Sequence, residues 1–314
     1  MKKILLAAVM CLVALVGRAQ EEEGMFATSD LKSTMAEGDK AALLVVSFGT
    51  TYDDTRSKTI DAVNAKAAER FPELEHRDAY TSRIVIKRLK RRGIEKSTPL
   101  EALFRLRAEG YTHVIVQSTN IIDGAEMESL RRDVEQMQPF FKEVRIGTPL
   151  LYSVDDMRTV LEILIDRLDG DNGNNRKAKE HFVLVGHGTY TPSTAIYSQA
   201  DYMLKTMGKD NWHVGTIEGY PTFDDMLQQL KDAKARRVTL VPFMFVAGDH
   251  ANNDIAVEWK QRLEQEGFEV SALIEGLGEV PEIQEIYLNH IQYMLTHRNE
   301  SIVEKKARYS ANDK

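Results

Sequence analysis

The sequence predicts an α/β protein of two similar halves, each a four-stranded parallel sheet flanked by helices. Three observations predict it. From Ala41 onward, short β-branched runs alternate with longer stretches of helical period, the grammar of strands joined by crossover helices. The pattern of the first half returns in the second. The chain of 314 residues, 43% apolar and 28% charged, has the ordinary composition of a globular protein with a substantial core, which rules out a disordered, collagen-like or disulfide-scaffold chain.

Taken in order, the chain opens on a three-part export pattern. Met1-Lys2-Lys3 is a positive start, Ile4 to Val16 is an apolar run too short for a comfortable membrane span, and Gly17-Arg18-Ala19 offers small residues before a cut at Gln20. Residues 1–19 are therefore expected to be a signal peptide, and the mature protein to be exported to the periplasm. Cys11, the one cysteine, lies inside that run, so the mature chain has none and cannot be stapled by disulfides. A lipoprotein cut before Cys11 is disfavoured, because Met10 is a poor small-residue position. Residues 20–40 are polar and read as a tether or short leading helix.

The first α/β half is expected over residues 41–168, with strands at Ala42–Ser47, Leu74–Tyr80, Thr112–Ser118 and Glu143–Thr148. Val154, Met157, Val160, Leu161, Leu164, Ile165 and Leu168 line one face of a helix that closes it. Residues 169–180 begin Asp-Gly-Asp-Asn-Gly-Asn-Asn and read as a linker between the halves. The second half, 181–297, has strands at His181–Val185, Trp212–Ile217, Arg237–Phe245 and Glu269–Leu273. Its helices are expected over Asp225–Ala235, over Ile255–Gln265 and from Pro281, a residue suited to a first helical turn. Residues 298–314 form a polar tail, expected to fray.

Two alignments carry the duplication. Leu44–Thr51 (LVVSFGTT) matches Val183–Tyr190 (VLVGHGTY), and Val114–Glu126 runs parallel to Val238–His250, setting Gly124 against Gly248 and Glu126 against His250.

Charge and missing motifs exclude several classes of function. The net charge is −7 and no Lys/Arg block suits nucleic acid. There is no P-loop for ATP, no Gly-x-Gly-x-x-Gly dinucleotide fingerprint and no Gly-x-Ser-x-Gly nucleophile elbow.

In open parallel sheets, ligands bind beyond the carboxyl ends of the strands. His187, Glu218 and His250 stand at three such ends in the second half, each with glycine close by. Two imidazoles and a carboxylate are a common donor set for a divalent transition metal. The gaps of 31 and 32 residues between them do not by themselves distinguish this from surface or hydrogen-bonded histidines, of which the chain has eight in all. In the first half, Arg83 and the Gly49-Thr50 turn are candidate anion contacts, with a helix cap at Thr81 or Ser82 as the alternative reading of the Tyr80–Arg83 corner.

At Leu44–Thr51, at Tyr80–Lys87 (YTSRIVIK), Val185–Thr189 (VGHGT), Ile217–Pro221 (IEGYP) and Pro242–Asp254 (PFMFVAGDHANND), the chain resembles the anaerobic sirohydrochlorin cobaltochelatases, class II chelatases related in fold to ferrochelatase. The likeness runs from about Ala41 to Leu295. It implies two halves facing across a cleft and insertion of Co²⁺ into sirohydrochlorin without ATP, with Ni²⁺ or Fe²⁺ as other candidate metals. It also implies that His187 and His250 are metal-binding and catalytic, and that Glu218 is the acidic ligand between them. Arg83, Gly49 and Thr50 would then face the carboxylates of the tetrapyrrole. The expected partners are that tetrapyrrole and further copies of the chain in a homo-oligomer. The export signal departs from a pathway that is cytoplasmic. It keeps open a second reading, an exported protein that binds haem or another tetrapyrrole and removes iron from haem.

Overall fold

A computed structural model describes residues 25–169 and 180–312. The signal segment, with Cys11 and the cut at Ala19, lies outside the described residues, as does the interior of the expected linker.

Ten strands are described. β1 (Phe26–Thr28) precedes the first half, which holds β2 (Ala41–Ser47), β3 (Glu75–Tyr80), β4 (His113–Ser118) and β5 (Glu143–Ile146). The second half holds β6 (Glu180–Gly188), β7 (Trp212–Glu218), β8 (Arg237–Phe243) and β9 (Glu269–Ala272), and β10 (His297–Asn299) follows. β2–β5 form one parallel sheet in the order β3-β2-β4-β5, and β6–β9 form a second in the order β7-β6-β8-β9. The two orders are the same, as a duplicated unit requires. β2 and β6 are central and almost wholly buried, so they read as continuous apolar runs rather than alternations.

Helices flank both sheets. Thr98 and Glu101 form a reciprocal capping box ahead of Pro99–Ala108, and Thr222 with Asp225 does the same for Phe223–Asp232. The expected helix after β5 is present as Val154–Asp169, and Met157, Val160, Leu161, Leu164 and Ile165 are its buried face. That face lies in a core holding Tyr80, Val85 and Leu151 of the first half together with Phe182, Trp212 and Val214 of the second. The halves therefore share one apolar interior.

Three expectations need correction. Residues 25–40 include the short leading helix of the alternative reading, Leu31–Thr34, but are more than a tether: β1 pairs antiparallel with β10, and Phe26 and Leu31 are buried against Leu288, Ile291 and Met294 of the long helix Pro281–Thr296. The tail likewise has structure, since Ile302–Asn312 is helical and Arg308 bonds Glu300 at 2.9 Å. The buried Arg145 gathers this strap. It donates to the carbonyls of Ser29 (2.7 Å), Met294 (2.8 Å) and His297 (3.0 Å) and pairs with Glu143 at 2.8 Å. Finally, the helix expected from Ile255 begins earlier, with Asp249 and His250 already helical. It runs as a π-helix over Ala251–Trp259 and becomes α over Lys260–Gln265. Ala251, Ile255 and Trp259 are its buried stripe.

Candidate active site

β6 continues past its expected end, so His187 is the last residue but one of a central strand. Glycine on either side makes this possible. A Cβ on Gly186 would stand 2.2 Å from the Tyr197 ring. Gly188 has φ +86° and pairs in register with Glu218. β7 ends there, which places Glu218 beside the strand end that carries His187.

His250 arrives from the other neighbour of β6. β8 ends at Phe243, and the loop that follows delivers His250 as the residue preceding the π-helix. The His187 and His250 rings meet edge to face, 4.6 Å between centroids and 88° between planes.

Hydrogen bonding sorts their nitrogens. Nδ1 of His187 lies 3.2 Å from the carbonyl oxygen of Gly188, which can only accept, so Nδ1 carries the proton and Nε2 the lone pair. Nδ1 of His250 lies 2.5 Å from Oδ2 of Asp254. A carboxylate behind an imidazole fixes its tautomer and ring orientation, leaving Nε2 as the working nitrogen. His187 is partly exposed and His250 is open to solvent, so both can be reached from outside.

Glu218 takes a different partner. Interaction with the Glu218 carboxylate, with desolvation, pushes the Tyr190 phenol above its ordinary value. Among the described residues, no group of three or more His, Cys, Asp or Glu side chains is arranged to hold a metal ion. The two expected imidazoles are thus together, and the expected third donor stands apart from them, beside a phenol.

The first-half candidates sit at the carboxyl ends of β2 and β3. Ser82 caps the helix Arg83–Lys90 by accepting from the Val85 amide, so the cap reading applies there, and Arg83 occupies the exposed first turn. Gly49 has φ +97°, and a Cβ on it would stand 2.5 Å from the Tyr80 ring, which is a packing reason for glycine. The Thr50 side chain is buried and accepts from the Tyr52 amide at 3.2 Å.

Asp254, Tyr190 and Asp249 escaped the sequence reading. Asp254 had a signal, because it follows His250 by four residues, the reach of one helical turn. Tyr190 had none, since its place near Glu218 depends on the pairing of β6 with β7. Asp249 is held by the other half: Oδ1 accepts from the Tyr52 hydroxyl at 2.7 Å, and Oδ2 lies 3.6 Å from Nη1 of Arg88.

The model of the cobalt chelatase (CbiK) family matches residues 41–296. A sirohydrochlorin cobaltochelatase of Salmonella typhimurium is 37% identical over 261 residues, which cover 82% of this chain and 97% of that protein. The sirohydrochlorin cobaltochelatase CbiKC of Nitratidesulfovibrio vulgaris is 33% identical over 258 residues, covering 80% of this chain and 89% of the other. Among solved structures, SirB of Bacillus subtilis with Fe³⁺ superposes with a TM-score of 0.57 at 15% identity, covering 82% of this chain and 96% of SirB. At that identity the likeness speaks for the fold.

Proposed function

The chain belongs to the cobalt chelatase (CbiK) family, and on that premise we propose that it inserts Co²⁺ into sirohydrochlorin without ATP. The observation that carries the proposal is the His187–His250 pair. The two imidazoles meet in an accessible place, and each has its Nδ1 bound internally, so that two Nε2 lone pairs are left for chemistry.

Insertion exchanges two protons for one dication. The two pyrrole N–H bonds of the free ring break, their electron pairs become donors to Co²⁺, and the two protons leave through a base. Neutral imidazole serves both ends of this exchange, since it binds a borderline cation and accepts a proton near neutral pH. His187, held by a neutral carbonyl, is assigned as ligand and base. His250 is assigned as second ligand or base, with Asp254 carrying the balancing charge when the ring is protonated. Glu218 is assigned as the charge-balancing ligand. Arg83, at the head of a basic helix, and the Gly49-Thr50 turn are assigned to the carboxylates of the tetrapyrrole.

Two further parts of the reading rest on the sequence. Residues 1–19 direct the chain to export, which mass spectrometry of the mature N-terminus tests. Copies of the chain associate as a homo-oligomer, which light scattering of the purified protein tests.

The deciding experiment mixes mature protein with sirohydrochlorin and Co²⁺, Ni²⁺ or Fe²⁺ and follows the absorption of the ring. Insertion of Co²⁺ by the native protein, reduced at least about a hundredfold in His187→Ala and His250→Ala, is the expected result. Wild-type rates in both variants overturn the site. Tight haem binding without metal insertion overturns the reaction in favour of a haem-binding protein.

A further inference from the structure

The segment that ends in His250 belongs to the second half by sequence, yet side chains of the first half hold it. Three successive residues make this contact. The Ala247 carbonyl faces the Thr55 hydroxyl at 3.5 Å. Gly248 lies against Thr50, whose hydroxyl would be 3.7 Å from a Cβ at that position. Asp249 receives the Tyr52 hydroxyl on one oxygen at 2.7 Å and faces the Arg88 guanidinium with the other at 3.6 Å. The next residue is His250.

Both oxygens of the Asp249 carboxylate are therefore directed to groups of the opposite half, one to a phenol and one to a cation. The phenol follows the end of β2, and the guanidinium rides on the helix Arg83–Lys90 that follows β3. A carboxylate held at both oxygens has little freedom to rotate, and its backbone shares that restriction. On its other side His250 is tied to Asp254 in its own helix, which orients the ring but does not place the loop relative to the first half.

We propose that Asp249, clamped by Tyr52 and Arg88, is a positioning residue through which the first half sets the place of His250 in the cleft. The inference rests on the proposed role of His250 in metal insertion. It makes the active site a joint product of both halves, although its imidazoles and Glu218 all come from the second. Any displacement of the 52–55 turn or of the basic helix, such as a macrocycle entering between them would impose, reaches His250 through Asp249.

The test uses the full mature protein and the variants Tyr52→Phe, Asp249→Ala, Arg88→Gln and Arg88→Lys. The first readout needs no activity: amide hydrogen exchange across residues 247–254 should quicken by roughly tenfold in Tyr52→Phe and Asp249→Ala, while exchange in β2 and β6 stays as in the native protein. The second is a split in kinetics at saturating Co²⁺. The kcat should fall roughly tenfold in Tyr52→Phe and Arg88→Gln, KM for sirohydrochlorin should change less than about twofold, and Arg88→Lys should recover most of the loss. Tyr52→Phe combined with Asp249→Ala should be no worse than Asp249→Ala alone, because each removes the same hydroxyl–carboxylate bond. Native exchange in the 247–254 segment of Tyr52→Phe and Asp249→Ala overturns the proposal whether or not the protein inserts cobalt. So does an unchanged kcat in both Tyr52→Phe and Arg88→Gln.

Discussion

A side chain at position 188 would place its Cβ 1.3 Å from the carbonyl oxygen of Glu218. The two residues pair across β6 and β7, and Gly188 takes φ +86° there, a conformation that disfavours any other residue. The strand end beside His187 can exist only because position 188 has no side chain. Gly188→Ala should therefore lose about 3 kcal/mol or more, as the added methyl forces β7 away from β6. Urea denaturation measures the loss, and stability within about 0.5 kcal/mol of native would refute the account.

Asp254 supports His250 without taking part in the donor set itself. Replacing it with alanine frees the ring to rotate and to exchange tautomers, and the cobalt-insertion rate should fall about 10- to 100-fold. Asp254→Asn retains an oxygen that can accept from Nδ1 and should lose less. Equal losses in the two variants would show that orientation is not what Asp254 contributes.

Arg145 is fully buried and supplies hydrogen bonds to four carbonyls drawn from both chain ends. Arg145→Met leaves those acceptors and Glu143 without their donor, at a cost of about 3–5 kcal/mol. The strap of β1 and β10 should loosen first. Limited proteolysis that cuts near residues 25–30 or 297–301 in the variant and not in the native protein is the expected outcome.

Burial also predicts how stability follows pH. His213 is pushed down to about 3, first by desolvation and then by the nearby Lys205 ammonium. Burial moves His76, His113 and His181 the same way. The native state keeps His213 neutral, whereas the unfolded chain takes up a proton as pH falls through about 6.5. The stabilisation is complete above that value and is lost progressively toward pH 3. For His213 it amounts to no more than about 5 kcal/mol, shared with the His181 ring that lies 2.9 Å away. The urea midpoint should drop between pH 6.5 and 5, ahead of the carboxylate titrations, and drop less in His213→Gln. A flat midpoint across that window would contradict it.

Much of the fold was legible because its signals are local. The apolar run Leu43–Val46 needs no distant partner to be read as a buried strand, and the spacing from Met157 to Ile165 needs none to be read as a helix face. The strap was illegible for the opposite reason. Its strands are three residues each and largely polar, and what secures them is Arg145, more than a hundred residues from either strand. The π-helix was missed because apolar residues four apart, at 251, 255 and 259, fit an α-helix and a π-helix alike over so short a run. At the site, glycines beside His187 and His250 marked the strand ends, but Tyr190 and Asp249 find their neighbours across strands or in the other half.

By itself the sequence determined the two-half plan, the strands and most of the helices, since periodicity and capping act within a few residues. It also put imidazoles at two strand ends. The tertiary structure alone decided that those rings touch, that Asp254 backs one of them and that Tyr190 stands near the Glu218 carboxylate. It alone brought Tyr52 and Arg88 to the residue before His250. Such pairings depend on distances between segments far apart in the chain, and those distances are set when both halves pack around one core.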